Sequence, residues 1–200
     1  MLLQELLTGY KLVLASGSPR RKDLLGGLNI PFEVWPTEHQ DESFPSGLDT
    51  EIIPQYLAKK KSLAFTGKLD NSTILITSDT IVACNGMVLG KPADMVEASN
   101  MLKLLSGNMH TVVTGVCISS SSRSATFQSS TNVYFRNLSA EEIDYYVQHY
   151  NPLDKAGAYG VQEWIGFVGV ERIEGSYFNV MGLPVQRLYI ELVSFLQNNS

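Results

Sequence analysis

Leu14-Ala-Ser-Gly-Ser-Pro-Arg-Arg21 joins a short apolar run, a small-residue turn, a proline and two adjacent arginines. Leu12, Val13 and Leu14 read as the end of a buried strand. Ser16, Gly17 and Ser18 form the turn. Ser18 is then the N-cap of a helix, with Pro19 at the first helical position, where a missing N–H costs nothing. Such a turn offers backbone N–H groups at the positive end of a helix, and Arg20 and Arg21 add two cations. A polyanion, most simply a phosphate chain, is the ligand it suits. An ordinary strand–helix connection with solvated arginines accounts for the same residues about as well, because small-residue turns before helices are common.

Working outward, Met1 to Leu7 reads as a short amphipathic helix leading into the first strand. Leu24, Leu25 and Leu28 continue the helix opened at Pro19, and Gly26-Gly27 frays its end. Pro31–Trp35 is a short strand, and Pro36 to Pro54 is a polar, turn-rich stretch expected to be a mobile loop. A helix over Ile52–Phe65 carries Lys59, Lys60 and Lys61. Ile74–Thr77 is a buried strand, and Asn85-Gly86 marks a type I′ hairpin within Ile81–Leu89. Asp94 caps a helix whose Ala98, Met101, Leu102 and Leu105 face inward. Thr111–Ser119 and Phe127–Phe135 are strands joined by a polar turn. Ser139 and Glu142 make a capping box for a helix that stops at Asn151-Pro152. A glycine-bearing loop (154–160), a strand near Phe167–Ile173 and a last helix opened by Pro184 complete the chain. Hairpins mixed with strand–helix units predict an α/β fold with a mixed sheet, not a purely parallel one.

Two hundred residues, 44% hydrophobic and 18% charged, suffice for one sizeable α/β domain. The net charge of −5 argues against a nucleic-acid binder, though not against a small basic pocket. Cys84 and Cys117 lie in apolar runs without metal-ligand spacing and read as buried thiols. His39, His110 and His149 form no zinc pattern. No segment reaches the roughly 18 apolar residues of a membrane span, and the acidic N-terminal stretch is unlike a secretion signal. The expected location is the cytoplasm.

Several side chains suit chemistry on a phosphate substrate. Asp79, between Ser78 and Thr80, would stand at the mouth of a buried strand, placed to hold a divalent cation or orient water; capping the strand end is the plainer alternative. Asp41 and Glu42 could add oxygen ligands to the same cation, or simply be solvated. Lys91 is held extended by Pro92, and Lys61 has a fixed direction on its helix. Either reaches toward phosphate or lies in solvent. Gln162 pairs a donor with an acceptor and can read a base edge.

The strings LASGSPRR (14–21), DES (41–43), SDTIV (78–82), GKP (90–92), LSGNMHTVVTGV (105–116), DKAGAYGVQ (154–162) and GSYFNVMGLP (175–184) follow in order across nearly the whole chain. Together they resemble the Maf family of nucleoside triphosphate pyrophosphatases, related in fold to the inosine triphosphate pyrophosphatases. The resemblance implies that residues 1–200 form a single elongated, two-lobed domain with a mixed sheet and a central cleft. It implies hydrolysis of a nucleoside triphosphate to monophosphate and pyrophosphate with Mg²⁺ or Mn²⁺. Asp79 matches the catalytic and metal-binding position, with Glu42, or its neighbour Asp41, as second metal ligand. Arg20, Thr80 and Gln162 match positions tied to substrate choice. Arg21, Lys61, Lys91 and Lys155 match basic positions near the phosphates, and Ser16 joins them as a substrate-binding residue. Thr80 and Gly175-Ser176-Tyr177 resemble the branch acting on dTTP and UTP in nucleotide-pool house-cleaning. The 7-methyl-GTP branch carries a different residue after the aspartate and a GRD-like late motif. Departures from the pattern are Lys61-Ser62 for the usual lysine–alanine and a longer loop around Asp41. The competing expectations are a 7-methyl-GTP pyrophosphatase and a nucleotide-binding regulator of septum formation. The resemblance also implies a homodimer.

Overall fold

The computed structural model describes residues 2–37 and 43–197. The chain alternates strands and helices around one mixed sheet of seven strands. Helix α1 (Leu3–Leu6) leads into β1 (Lys11–Ala15), then α2 (Pro19–Gly26), β2 (Glu33–Trp35), α3 (Ile53–Leu63) and the long β3 (Thr73–Cys84). Strand β4 (Met87–Leu89), α4 (Met95–Leu105), β5 (Met109–Ser119), β6 (Ser124–Phe135) and α5 (Ala140–Tyr150) follow. After two single turns come α6 (Trp164–Gly169), β7 (Val170–Glu174), α7 (Tyr177–Val180) and α8 (Val185–Gln197). Strand order is β2-β1-β3-β5-β6-β7, with β4 paired to β3. The α/β mixed-sheet expectation holds. β1 runs parallel to both β2 and β3, while β3–β4 and β6–β7 are antiparallel.

The chain divides into two compact units, one of residues 1–79, 114–129 and 182–200, the other of residues 80–113 and 130–181. In the first, Val13, Ala15, Phe65 and Leu75 form a small core with Trp35 and Leu69 against it. Gly115 lets α3 approach β5 backbone to backbone, since a Cβ there would lie 2.2 Å from the Gln55 nitrogen and the Pro54 carbonyl carbon. In the second unit the inward faces of α4 and α5 pack with Val112, Val133, Phe135 and Ile165.

The local signals act as the sequence dictates. Asp94 Oδ1 accepts the Glu97 N–H at 2.8 Å, and Ser139 and Glu142 close a capping box on α5. Asn85 (φ 50°) and Gly86 (φ 78°) take the two left-handed positions of a type I′ turn between β3 and β4. Cys84 and Cys117 are buried free thiols, and no helix among the described residues is long and apolar enough to cross a membrane.

Two expectations need correction. The strand foreseen over Phe167–Ile173 begins only at Val170, and Phe167 to Gly169 belong to α6. Gly166 packs there so closely that a Cβ would fall 1.8 Å from the Val161 carbonyl oxygen, so the helical turn wraps over its own approach loop. The strand foreseen over Ile74–Thr77 does not stop there; β3 continues unbroken to Cys84, and Asp79 stands within it rather than at its end. The mouth is instead formed by β1, whose pairing with β3 stops at Leu14 and Ile76. Of the polar stretch foreseen as a mobile loop, residues 38–42 lie outside the described residues, and with them Asp41 and Glu42.

Candidate active site

β1 pairs with β3 only as far as Ile76, and β4 pairs with β3 from Val82. The chain turns away at Ser16-Gly17-Ser18 into α2, with Ser18 as N-cap and Pro19 in the first turn. The Ser18 side chain makes no capping bond; instead the buried Ser16 takes the Ser18 N–H on its hydroxyl at 3.2 Å. Arg21 then reaches back to β3. Its Nη1 donates to the Ser78 carbonyl at 2.9 Å and its Nε to the Gly182 carbonyl at 2.8 Å. Ser78 Oγ donates to the same Gly182 oxygen at 3.3 Å. A planar guanidinium suits this double duty, because two of its donors diverge from one rigid group. Arg21 thus ties the first turn of α2 to β3 and to the turn before α8.

One face of β3 is fixed by α3. Thr77 and Asp79 point to the same side of the strand, two residues apart. Ala58, Lys61 and Ser62 share one face of α3 by their three- and four-residue spacing. The two faces meet in register: Thr77 Oγ1 donates to the Ala58 carbonyl at 2.7 Å, and the Lys61 ammonium forms an ion pair with Asp79 Oδ1. Ser62 hydrogen-bonds Ser119 of the neighbouring β5. The Lys61 and Asp79 side chains are 14% and 10% exposed, so the pair is sheltered yet reachable. A sheltered carboxylate with an ammonium fixed on one oxygen, beside a guanidinium-braced turn, is an arrangement that can handle an anionic substrate and a proton together.

In the second unit the loop after α5 is built around a buried polar network. Tyr146 of α5 donates its hydroxyl to Glu163 Oε2 and accepts the Gly160 N–H at 3.0 Å. Burial, reinforced by the Glu163 carboxylate, pushes the Tyr146 hydroxyl pKa up. Lys155, 7% exposed, meets Glu163 Oε1 at 3.2 Å and Asp154 at 2.7 Å. Gly157 (φ 68°) sits where any side chain would collide with Val82. Next to this network is Gln162, half-buried, whose amide oxygen is sealed from solvent and has no hydrogen-bond partner. Nearby, His110 Nε2 lies 2.8 Å from the Tyr159 hydroxyl, and burial pulls the imidazole pKa down to about 4.

Of the residues singled out in the sequence, Ser16, Arg21, Lys61 and Asp79 come together in the first unit. Arg20 is half-exposed one residue before Arg21. Thr80 follows Asp79 on β3, half-buried and on the opposite face. Lys91 is exposed. Lys61 and Lys155 each pair with a carboxylate of their own unit. Glu42 lies outside the described residues. Sequence reading missed Glu163 and Tyr146, together with the Ser78 and Gly182 carbonyls. Neither side chain carries a local signal: Tyr146 reads as a core residue of α5, and only the fold brings it to Glu163.

The Maf-like protein family description matches residues 11–195. A "dTTP/UTP pyrophosphatase" of Porphyromonas gingivalis is 53% identical over 195 residues, covering 96% of this chain and 98% of its own. One of Phocaeicola vulgatus with the same name is 52% identical over 188 residues, covering 94% and 97%. A solved nucleoside-triphosphatase / dITP/XTP pyrophosphatase from Mycobacterium abscessus overlaps at a TM-score of 0.40 and 12% identity, over 64% of this chain and 75% of its own. With the match running from β1 into α8, this chain belongs to the Maf-like protein family.

Proposed function

We propose that this protein hydrolyses dTTP and UTP to the nucleoside monophosphate and pyrophosphate, cleaving between the α- and β-phosphates. The observation that carries the reading is the sheltered Lys61–Asp79 pair on the braced β3, in a chain about half identical to proteins named for that activity.

In this reading Asp79 orients the attacking water and takes up its proton at Oδ2, while Oδ1 stays anchored to Lys61. Lys61 keeps the carboxylate in one rotamer. Arg20, Arg21 and Lys91 offset the negative charge that builds on the pyrophosphate leaving group, with Arg21 also holding Ser78. Lys155 acts as the internal strut of the loop carrying Gln162. Gln162 and Thr80 read the base.

Among the described residues no three His, Cys, Asp or Glu side chains gather into a metal cage. Mg²⁺ or Mn²⁺ taken up with the substrate needs only one or two protein carboxylates beside phosphate oxygens and water. Asp79 would supply one, and Glu42 is the proposed second. The bound cation would neutralise developing charge on the phosphate oxygens. A cytoplasmic location, a homodimer and a house-cleaning role complete the reading.

The test is pyrophosphate release from dTTP, UTP, CTP, the purine triphosphates and 7-methyl-GTP, with Mg²⁺, with Mn²⁺ and with chelator. Fast release from dTTP and UTP, lost on chelation, is expected. Preference for 7-methyl-GTP, or no release at all, refutes it.

A further inference from the structure

We infer that Glu163 fixes which way round the Gln162 amide faces, and so makes the base-reading position an acceptor that takes the N3–H of uracil and thymine and refuses cytosine. The inference rests on the pyrimidine triphosphate reading above.

Two observations meet at Gly160. A Cβ placed there would lie 2.9 Å from Gln162 Nε2 and equally 2.9 Å from Glu163 Oε2, so the amide NH₂ and the carboxylate both border the space at Gly160. The absence of a side chain at Gly160 is what lets them do so. A carboxylate accepts hydrogen bonds and repels other acceptors. It therefore favours the rotamer that turns the NH₂ toward it and the carbonyl away. The carbonyl that results, Gln162 Oε1, is sealed from solvent and has no partner. A buried acceptor left unsatisfied is unfavourable and calls for a donor.

Glu163 can impose this orientation because it is itself anchored. Tyr146 donates to Oε2, and Lys155 holds Oε1 at 3.2 Å. The Tyr146 hydroxyl has its acceptor side committed to the Gly160 N–H at 3.0 Å. Lys155 is balanced on its other side by Asp154 at 2.7 Å.

The chemistry of the bases supplies the rest. Uracil and thymine carry an N–H donor at N3, flanked by two carbonyl acceptors, which complements the unsatisfied Oε1 beside an Nε2 donor. Cytosine has a bare acceptor at N3 and an amino group at C4. To serve cytosine the amide must flip, which drives Oε1 against the Glu163 carboxylate. Glu163 touches no substrate in this scheme; it is a positioning residue acting through Gln162.

Glu163→Gln tests this. The variant keeps the shape and its single carbonyl oxygen can still accept from one of Tyr146 and Lys155, while Asp154 continues to balance Lys155. Without the carboxylate charge either amide orientation is tolerated. The ratio of kcat/KM for CTP to that for UTP is expected to rise by about tenfold, the scale of one matched hydrogen bond. A merely structural role would lower both substrates together and leave the ratio unchanged, and that result in a folded variant overturns the inference. Thermal melting checks the fold. If Glu163→Gln does not fold, Tyr146→Phe loosens the same carboxylate and is expected to shift the ratio in the same direction by less; an unchanged ratio there overturns it equally. Wild-type protein that releases pyrophosphate from UTP and CTP alike overturns this inference alone, whereas wild type inactive on both UTP and dTTP overturns the pyrimidine reading beneath it.

Discussion

Replacing Asp79 by Asn and Lys61 by Met, singly and together, probes the pair at the centre of the proposed chemistry. Asn keeps the shape of Asp79, and Met keeps most of the Lys61 stem. Breaking one side of a buried ion pair leaves an uncompensated charge and costs about 3–5 kcal/mol. Residual exposures of 14% and 10% let water screen part of that, so each single change should cost about 2–4 kcal/mol. The double variant removes both charges, and its cost should fall short of the sum by about 2 kcal/mol, which is the coupling between the two groups. Urea unfolding of the four proteins at neutral pH measures it, with pyrophosphate release from UTP followed in parallel. Asp79→Asn should lower that release at least about a hundredfold. If the stability costs add to within about 0.5 kcal/mol, the pair is a contact without energetic content and Lys61 does not hold Asp79. If Asp79→Asn turns over normally, the carboxylate is not the reacting group.

Arg21→Lys can satisfy only one of the two carbonyls that the guanidinium braces; a loss of about 1–2 kcal/mol in urea unfolding is expected, with lowered kcat. Gly115→Ala places a methyl 2.2 Å from the α3 backbone, where neither strand nor helix can yield cheaply. It should destabilise by about 1–3 kcal/mol or more, and an unchanged urea midpoint would show the packing is looser than described. His110 is buried and its pKa is lowered from 6.5 to about 4, so the unfolded chain binds this proton more readily than the folded one. Its contribution is fully present above about pH 6.5 and is lost as pH falls toward 4, by about 3 kcal/mol. Stability against pH should therefore be flatter over that range in His110→Gln than in wild type; parallel curves would contradict the assignment.

Much of this protein is legible locally, because short-range physics decides it. The Ser139–Glu142 capping box, the Asp94 cap, the Asn85-Gly86 turn and the Pro19 helix start each depend on residues within a few positions of one another. The alternation of hairpins with strand–helix units is likewise enough to give a mixed α/β sheet. Asp79 and Arg21 were legible as candidates, since acid and base at these positions in these strings carry the resemblance, and Lys61 through the lysine of its helix. Local patterning failed at Phe167–Gly169, where an apolar run reads equally as strand or helix and only the packing of Gly166 on Val161 decides it. It failed again at β3, because the polar triplet Ser78-Asp79-Thr80 looks like a strand end when its neighbours across the sheet are unknown.

The sequence by itself determined the family, most of the elements and the residue types available for phosphate chemistry. Only the tertiary structure decided how they are used. It turned Arg21 into a brace for the Ser78 and Gly182 carbonyls, set Lys61 on Asp79, buried Lys155 between two acids and left the Gln162 carbonyl without a partner beside Glu163. The physical reason is range. Caps, turns and helical faces are fixed by neighbours along the chain, whereas the partner of a charge is whatever the fold brings within a few ångströms. For Arg21 and Gly182 that partner is 161 residues away.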